Sequence, residues 1–420
     1  VEYFRSLNLF DEDFLAYLKN FRFNGDVYAF EEGTIMYPNE PVVTVVAPLI
    51  EAQLVETAIL AQINHQSLIA TKARRIVKAA AGRGVSDFGA RRAHNMDAAI
   101  YGARASYIGG VNGTATVSAG QMFGIPVGGT HAHSWVMEHS DELTAFRSYA
   151  KVFPNNCTLL VDTYDVLKSG VPNAIKVFQE MKDAGIPLTR YGIRLDSGDL
   201  AYISKKARKM LDEAGWPECQ ISVSNSLDER LIQNLFLQGA QIDMFGVGER
   251  MITAKSEPVF GGVYKLVAVE RESGEVVPKI KVSENVAKIT IPHFKKFFRF
   301  YDRTNGKALA DYLCLYDETP DDTQPLTIFH PENTWKRKTL TNFRAENMMV
   351  PVFRAGELVY DLPSLKDIRK RCAEQLETLW PEVLRFENPH GYYVDLSNRL
   401  WDIRHDLLVN AGHSQIPEKQ

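Results

Sequence analysis

Gly128-Gly129-Thr130-His131-Ala132-His133-Ser134-Trp135 is the stretch that decides how this 420-residue chain is read. Upstream, Gly124-Ile125-Pro126-Val127 is a short apolar run bounded by turn residues, the pattern of a buried strand. Downstream, Trp135-Val136-Met137-Glu138-His139 can begin a helix. The glycine pair and the three ring-bearing polar residues then sit at the carboxyl end of a strand, where α/β folds collect their chemistry. His131 and His133 are two apart and share one face in extended backbone. An imidazole there can act as base, metal ligand or nucleophile, or be held structurally by hydrogen bonds.

Working outward, apolar strand candidates recur at Val85–Gly89, Ser106–Gly110, Gly124–Gly128, Thr158–Asp162, Tyr191–Asp196, Gln220–Ser224, Ile242–Gly246 and Gly262–Leu266. Helical patterns lie between most of them. Ser226-Leu227-Asp228-Glu229 reads as a capping box for a helix ended by Gly239, and Leu200 to Gly215 as another helix with a glycine stop. Such alternation predicts a β/α barrel or a doubly wound sheet, and seven or eight strands favour the barrel. The flanks differ. Residues 1–20 are helical in pattern, 22–48 form short strands, and Ile50 to Ala81 is a long helical region closed by Gly82. After Tyr264 the rhythm turns antiparallel, with turns at Glu272-Ser273-Gly274, Thr304-Asn305-Gly306 and Ala355-Gly356. Ser364-Leu365-Lys366-Asp367 caps a helix through about Trp380, where Pro381 stops it. The expected sections are an α+β part over 1–82, a barrel with the active site over 83–265, an antiparallel part over 266–361 packing on the N-terminal part, and a helical part over 362–420.

Composition narrows the function. A net charge of −4 argues against nucleic acid as the principal partner. Cys157, Cys219, Cys314 and Cys372 form no C-x-x-C pair, which suits a reducing cytoplasm and signals no zinc site. The uncharged run from Ala105 to Met137 is too rich in Gly, Ser and Thr for a membrane span. Val1-Glu2-Tyr3 is neither an initiator Met nor a signal peptide, so the natural chain is expected to begin earlier.

Polar residues cluster after the middle strands. Asp87-Phe88-Gly89-Ala90-Arg91-Arg92 offers an arginine for a carboxylate or phosphate, or for a structural ion pair. In Gly192-Ile193-Arg194-Leu195-Asp196-Ser197-Gly198-Asp199, Arg194 and Asp196 share a strand face ahead of a helix start. That supplies a cation, carboxylates for ribose hydroxyls or Mg2+, and backbone N–H groups for an anion; Asp199 could equally be an N-cap. Asn225, then Gly246-Val247-Gly248-Glu249 and Gly261-Gly262, follow later strands, where many barrels hold a phosphate. Together they point to an anionic, phosphate-bearing substrate. A metal-dependent barrel hydrolase would need histidines on later strands, and none occurs between His139 and His293.

Asp-Phe-Gly-x-Arg-Arg, Gly-Thr-x-Ala-His-Ser-Trp, Val-Asp-Thr-Tyr-Asp, Ile-Arg-Leu-Asp-Ser-Gly-Asp, Ser-Asn-x-Leu-Asp-Glu and Gly-Val-Gly followed by Gly-Gly-Val-Tyr-Lys-Leu resemble, in order, the nicotinate phosphoribosyltransferases. The resemblance runs from about Asn24 to Trp380-Pro381. It implies a type II phosphoribosyltransferase fold, an irregular β/α barrel beside an α+β domain with an antiparallel and helical C-terminal section. It implies a homodimer with interfacial sites. The implied reaction joins nicotinate to 5-phosphoribosyl 1-pyrophosphate, releasing pyrophosphate and forming nicotinate mononucleotide for NAD synthesis. ATP, with Mg2+, drives it through a phosphohistidine that falls on His133. Thr130, Arg194 and Arg92 fall on nicotinate-binding positions, and Asn225, Gly246, Gly248, Glu249, Gly261 and Gly262 in the ribose-phosphate region. Asp196 and Asp199 are the candidate catalytic carboxylates and magnesium ligands. His94-Asn95 stands where Gln-Gly is common, Glu249 where many members have Thr, and a ring-stacking Tyr of the family is absent before Val1. Alternatives are the nicotinamide-using relative and an inactive paralogue that only binds.

Overall fold

In the computed structural model, which describes residues 1–283 and 289–413, six strands of the middle segment form one parallel sheet. Its order is Gly113–Thr114, Gly84–Asp87, Met244–Val247, Gln220–Val223, Tyr191–Leu195, Cys157–Leu160. From Met244–Val247 to Cys157–Leu160 each strand lies beside its predecessor in sequence, with a helix between: Val171–Asp183, Leu200–Glu213, Glu229–Leu237. The strand residues explain the arrangement. Val85, Leu159, Leu160, Ile193, Leu195, Ile221, Val223, Phe245 and Val247 are all buried, as expected where helices cover a parallel sheet.

The sheet departs from the expected strands in three places. Ser106–Gly110 is not a strand; it ends the helix Met96–Ile108, which Asn95 caps by accepting from the Ala98 amide at 2.7 Å. Ala99, Gly102, Ala103, Ala105 and Ser106 give that helix a buried face of small residues, and its apolar tail mimics a strand. Gly124–Gly128 contributes only a parallel bridge, Thr114 to Val127; Pro126, without an N–H, limits its pairing. Gly262–Leu266 forms no strand. The capping box also shifts: Asp228, not Ser226, is the N-cap of Glu229–Leu237, accepting from the Leu231 amide at 2.9 Å.

Contacts divide the chain into two units, Ala61–Gly262, which holds this sheet, and Val1–Leu60 with Val263–Gln420. The division falls inside the helix Glu56–Ala79. The second unit contains two four-stranded sheets. In one, Asp26–Phe30 lies antiparallel between Val43–Val46 and Met349–Arg354. In the other, the hairpin Lys295–Asp302/Ala308–Leu315 turns at Asn305-Gly306, where Gly306 takes φ +70°. Within it Arg299 holds Asp311 through two 2.8 Å bonds, both side chains fully buried. All four cysteines are buried. Among the described residues no helix is long and apolar enough to cross a membrane.

Candidate active site

The carboxyl ends of neighbouring parallel strands bring the sequence's polar motifs together. Leu160 pairs with Arg194, and Arg194 with Ser222, so the residues that follow each strand project from one edge of the sheet. Arg194 is the hub. Its Nε donates to Ser224 Oγ at 2.9 Å and its Nη1 to Thr130 Oγ1 at 2.8 Å, while Nη2 lies 3.4 Å from Asp196 Oδ1. Ser224 in turn donates to Asp196 Oδ1. The Phe88 ring covers the guanidinium at 5.2 Å. Phe88 is placed by Asp87, whose buried carboxylate accepts from the Thr114 hydroxyl at 2.7 Å and the Gly89 amide at 2.8 Å. A Cβ on Gly246 would meet the Phe88 ring at 2.5 Å, so only glycine lets the ring lie there.

The two histidines of the loop have different fates. His131 is buried, and its Nε2 accepts from the Leu160 amide at 3.1 Å. Its ring packs edge-on against Tyr149 at 4.7 Å, and burial pushes its pKa down to about 4. It is a neutral structural group whose acceptor nitrogen is occupied. His133 begins the short helix His133–Glu138 with its side chain 39% exposed. Its Nδ1 bonds Thr163 Oγ1 at 3.1 Å, and its Nε2 lies 3.9 Å from both Asp162 Oδ1 and Asp196 Oδ2. Asp162, 1% exposed, accepts from the Asp196 amide at 3.0 Å and the Ser197 hydroxyl at 2.6 Å through Oδ2. Its Oδ1 is buried and accepts no hydrogen bond. Asp196 therefore joins two functions, touching the arginine with one oxygen and facing the imidazole with the other.

Thr130, His133, Arg194 and Asp196 are thus brought together. Asp199 is not part of that contact set; it caps the helix Leu200–Glu213, accepting from the Tyr202 amide at 3.0 Å. Arg92 is exposed on a single 3-10 turn, and its charge helps lower the Glu249 pKa after the larger effect of Lys255, which donates to Glu249 at 2.8 Å. Asn225 and Ser226, exposed after the strand Gln220–Val223, have φ of 89° and 52°, a left-handed pair of the strained kind that gathers at functional loops. Gly248 precedes the turn Glu249–Ile252. A Cβ added to Gly261 would meet nothing within 4 Å, whereas one on Gly262 would lie 2.2 Å from Asn64 Oδ1, itself buried and unbonded. Phe88, Asp162, Thr163 and Ser224 are additions: each lies inside a quoted motif, but nothing in the sequence separates its role from that of its neighbours. Among the described residues no three His, Cys, Asp or Glu side chains are arranged to hold a metal ion.

Comparison with known proteins covers nearly the whole chain. Residues 84–297 match the nicotinate phosphoribosyltransferase family model, residues 1–64 its N-terminal domain and residues 294–404 its C-terminal domain. The chain is 48% identical over 392 residues to the nicotinate phosphoribosyltransferase of Bacillus subtilis, covering 93% of this chain and 79% of that one. The crystal structure of human nicotinic acid phosphoribosyltransferase superposes with a TM-score of 0.83 at 28% identity, covering 97% of this chain and 87% of that one. Nicotinate-nucleotide pyrophosphorylase from Pyrococcus furiosus superposes at 0.66 with 25% identity, covering 87% and 84%.

Proposed function

The chain belongs to the nicotinate phosphoribosyltransferase family, and from that premise we propose that ATP drives its reaction through phosphorylation of His133. The enzyme forms nicotinate mononucleotide in NAD biosynthesis, with nicotinate and 5-phosphoribosyl 1-pyrophosphate as substrates. The observation that carries the reading is the chain of contacts Arg194–Asp196–His133, which couples an anion grip to a nucleophile.

Arg194 holds nicotinate. A guanidinium has five N–H donors, and the contacts to Ser224, Thr130 and Asp196 leave one on each terminal nitrogen for a two-point bond to the substrate carboxylate. The Phe88 ring beside it offers a stacking face for the pyridine. Held so, the ring nitrogen is aimed at the anomeric carbon, which saves orientational entropy. Departure of pyrophosphate builds positive charge on the ribose, and Asp196 provides the compensating carboxylate. The anionic end of the sugar falls to Asn225, Gly246, Gly248, Gly261 and Gly262; Glu249, an ionised carboxylate that accepts from Lys255, offers its side chain as no phosphate donor.

His133 takes the phosphoryl group because its ring is accessible and two carboxylates stand against the charge the ring acquires. His131 is excluded from this role by its bond to Leu160 and its burial. Asp162 Oδ1, buried without a hydrogen-bond partner, and Asp196 would hold a magnesium ion. Asp199, engaged in its helix cap, fits less well. When bound, the ion offsets phosphate charge. The reading includes a homodimer with interfacial sites, in the cytoplasm. Turnover with nicotinate and with nicotinamide, in the presence of the sugar pyrophosphate and ATP, tests it. Nicotinate should be consumed with ADP appearing in step with mononucleotide. Preference for nicotinamide, or ADP formation unlinked to product, would refute it.

A further inference from the structure

We propose that Lys72 is a positioning residue for the phosphoribosyl end of the site: its buried ammonium ties the segment that begins at Asn225 to the segment that ends at Gly261-Gly262. The inference rests on those two segments holding the anionic end of the sugar, and it names what sets their spacing. Lys72 Nζ donates to Glu229 Oε2 at 2.7 Å and to Ser256 Oγ at 2.9 Å. Glu229 opens the helix Glu229–Leu237 shortly after Asn225, and Ser256 lies between the turn Glu249–Ile252 and the glycine pair. Lys72 and Glu229 are both buried, and Arg75 donates to Glu229 Oε1 at 3.0 Å. A compact ammonium with three donors can bond partners from separate parts of the chain at once.

Other contacts of the same two segments act in the same sense. Asp228, beside Glu229, accepts from Arg250, which follows Gly248. Ala254 packs with Ile69 and Ala105. Asn64, on the same helix as Lys72, stands where a Cβ on Gly262 would meet its Oδ1 at 2.2 Å. Both tied segments also carry non-glycine residues in the left-handed region: Asn225 and Ser226 with φ of 89° and 52°, and Ala254 with φ of 45°. Such conformations persist only where their surroundings hold them. A buried ion pair adds little net stability over an apolar pair of the same size, because desolvation offsets the attraction. An apolar pair could not supply the onward bond to Ser256. Lys72 therefore fixes where the second segment stands relative to the first. The sugar's phosphates then meet a site already ordered, and the cost of ordering it does not fall on binding.

Ser256→Ala removes the onward bond and leaves the Lys72–Glu229 pair in place, and Ser256→Thr keeps the hydroxyl. The KM for 5-phosphoribosyl 1-pyrophosphate should rise about threefold to tenfold in Ser256→Ala, the worth of one hydrogen bond, and recover in Ser256→Thr. The kcat, the KM for nicotinate and the melting temperature should stay at parent values, a split that a merely structural role would not give. Lys72→Met combined with Glu229→Gln leaves no unpaired buried charge, so stability should hold while the KM for the sugar rises further. A parent-like KM in Ser256→Ala, a defect that Ser256→Thr does not repair, or a rise shared by nicotinate would overturn the assignment. Gly262→Ala measured alongside separates the two claims. If it raises the KM for the sugar and Ser256→Ala does not, the tie through Lys72 is wrong; if neither does, the sugar's phosphates lie elsewhere and the reading beneath falls as well.

Discussion

Asp162 Oδ1 stands 3.9 Å from His133 Nε2 and accepts no hydrogen bond, while the other oxygen of the same carboxylate holds the Asp196 amide and the Ser197 hydroxyl. One oxygen builds the loop and the other faces the imidazole. Asp162→Asn separates these tasks, since an amide oxygen can still accept from Asp196 and Ser197. Phosphorylation of His133 should slow by about 10²-fold, the scale of losing a positioned proton partner, with little change in melting temperature. A large loss of stability at parent-like phosphorylation would show that the carboxylate is only structural.

Arg194→Lys keeps the charge but loses the planar fork that reaches Ser224, Thr130 and Asp196 together. The value of kcat/KM for nicotinate should fall by roughly 10–100-fold, corresponding to about 1.5–3 kcal/mol for hydrogen bonds to a charged group. Steady-state kinetics with saturating sugar pyrophosphate measures it, and a change confined to the sugar substrate would move Arg194 out of the nicotinate pocket.

His131 predicts a pH dependence of stability. Its pKa is near 4 when folded, below the ordinary value for an unfolded histidine of about 6.5. Between those values the unfolded chain binds more protons, so this contribution is complete above about pH 6.5 and is lost as the pH falls toward 4. In His131→Gln, whose amide oxygen can still accept from the Leu160 N–H, that loss should be absent. Denaturant titrations at pH 7 and pH 4.5 should therefore differ less in the variant than in the parent, by on the order of 1–3 kcal/mol. Equal pH dependence in both would mean that His131 is not held neutral.

Much of the fold was legible because glycines, caps and apolar runs punctuate it locally. Ser364 caps its helix, Asn305-Gly306 turns its hairpin, and the strands from Thr158 to Gly246 appear where the apolar runs place them. Ser106–Gly110 misled because Ser106-Tyr107-Ile108 ahead of a glycine pair looks alike in a strand and in the last turn of a buried helix. Within the site, the motifs foretold which loops come together at the carboxyl ends of the strands, and the Thr-x-Ala-His-Ser pattern separated His133 from His131 only by resemblance. The physical difference between them, a bond from the Leu160 amide, spans 29 residues and leaves no local trace. Asp162 and Thr163 escaped selection for the same reason: their partner, His133, lies on another strand's loop. Asp199 shows the reverse, a carboxylate in the right motif whose observed bond is its own helix cap.

Gly262 and Gly261 should respond differently to alanine. A Cβ on Gly262 collides with Asn64 Oδ1 at 2.2 Å, whereas on Gly261 it meets nothing within 4 Å. Gly262→Ala must move Asn64 or the loop, and the KM for 5-phosphoribosyl 1-pyrophosphate should rise by about tenfold, roughly the effect of 1.4 kcal/mol. Gly261→Ala should raise it less. The opposite ranking would place the phosphate against Gly261 rather than Gly262.

The most direct test of the account is to locate the phosphate. The enzyme is incubated with ATP labelled in its γ-phosphate, digested at alkaline pH and mapped by mass spectrometry across the peptide containing His131 and His133. Phosphate on His133 alone, removed on addition of nicotinate and 5-phosphoribosyl 1-pyrophosphate, is the predicted result. Phosphate on His131, or none on either histidine while mononucleotide is formed with ATP consumption, would contradict it.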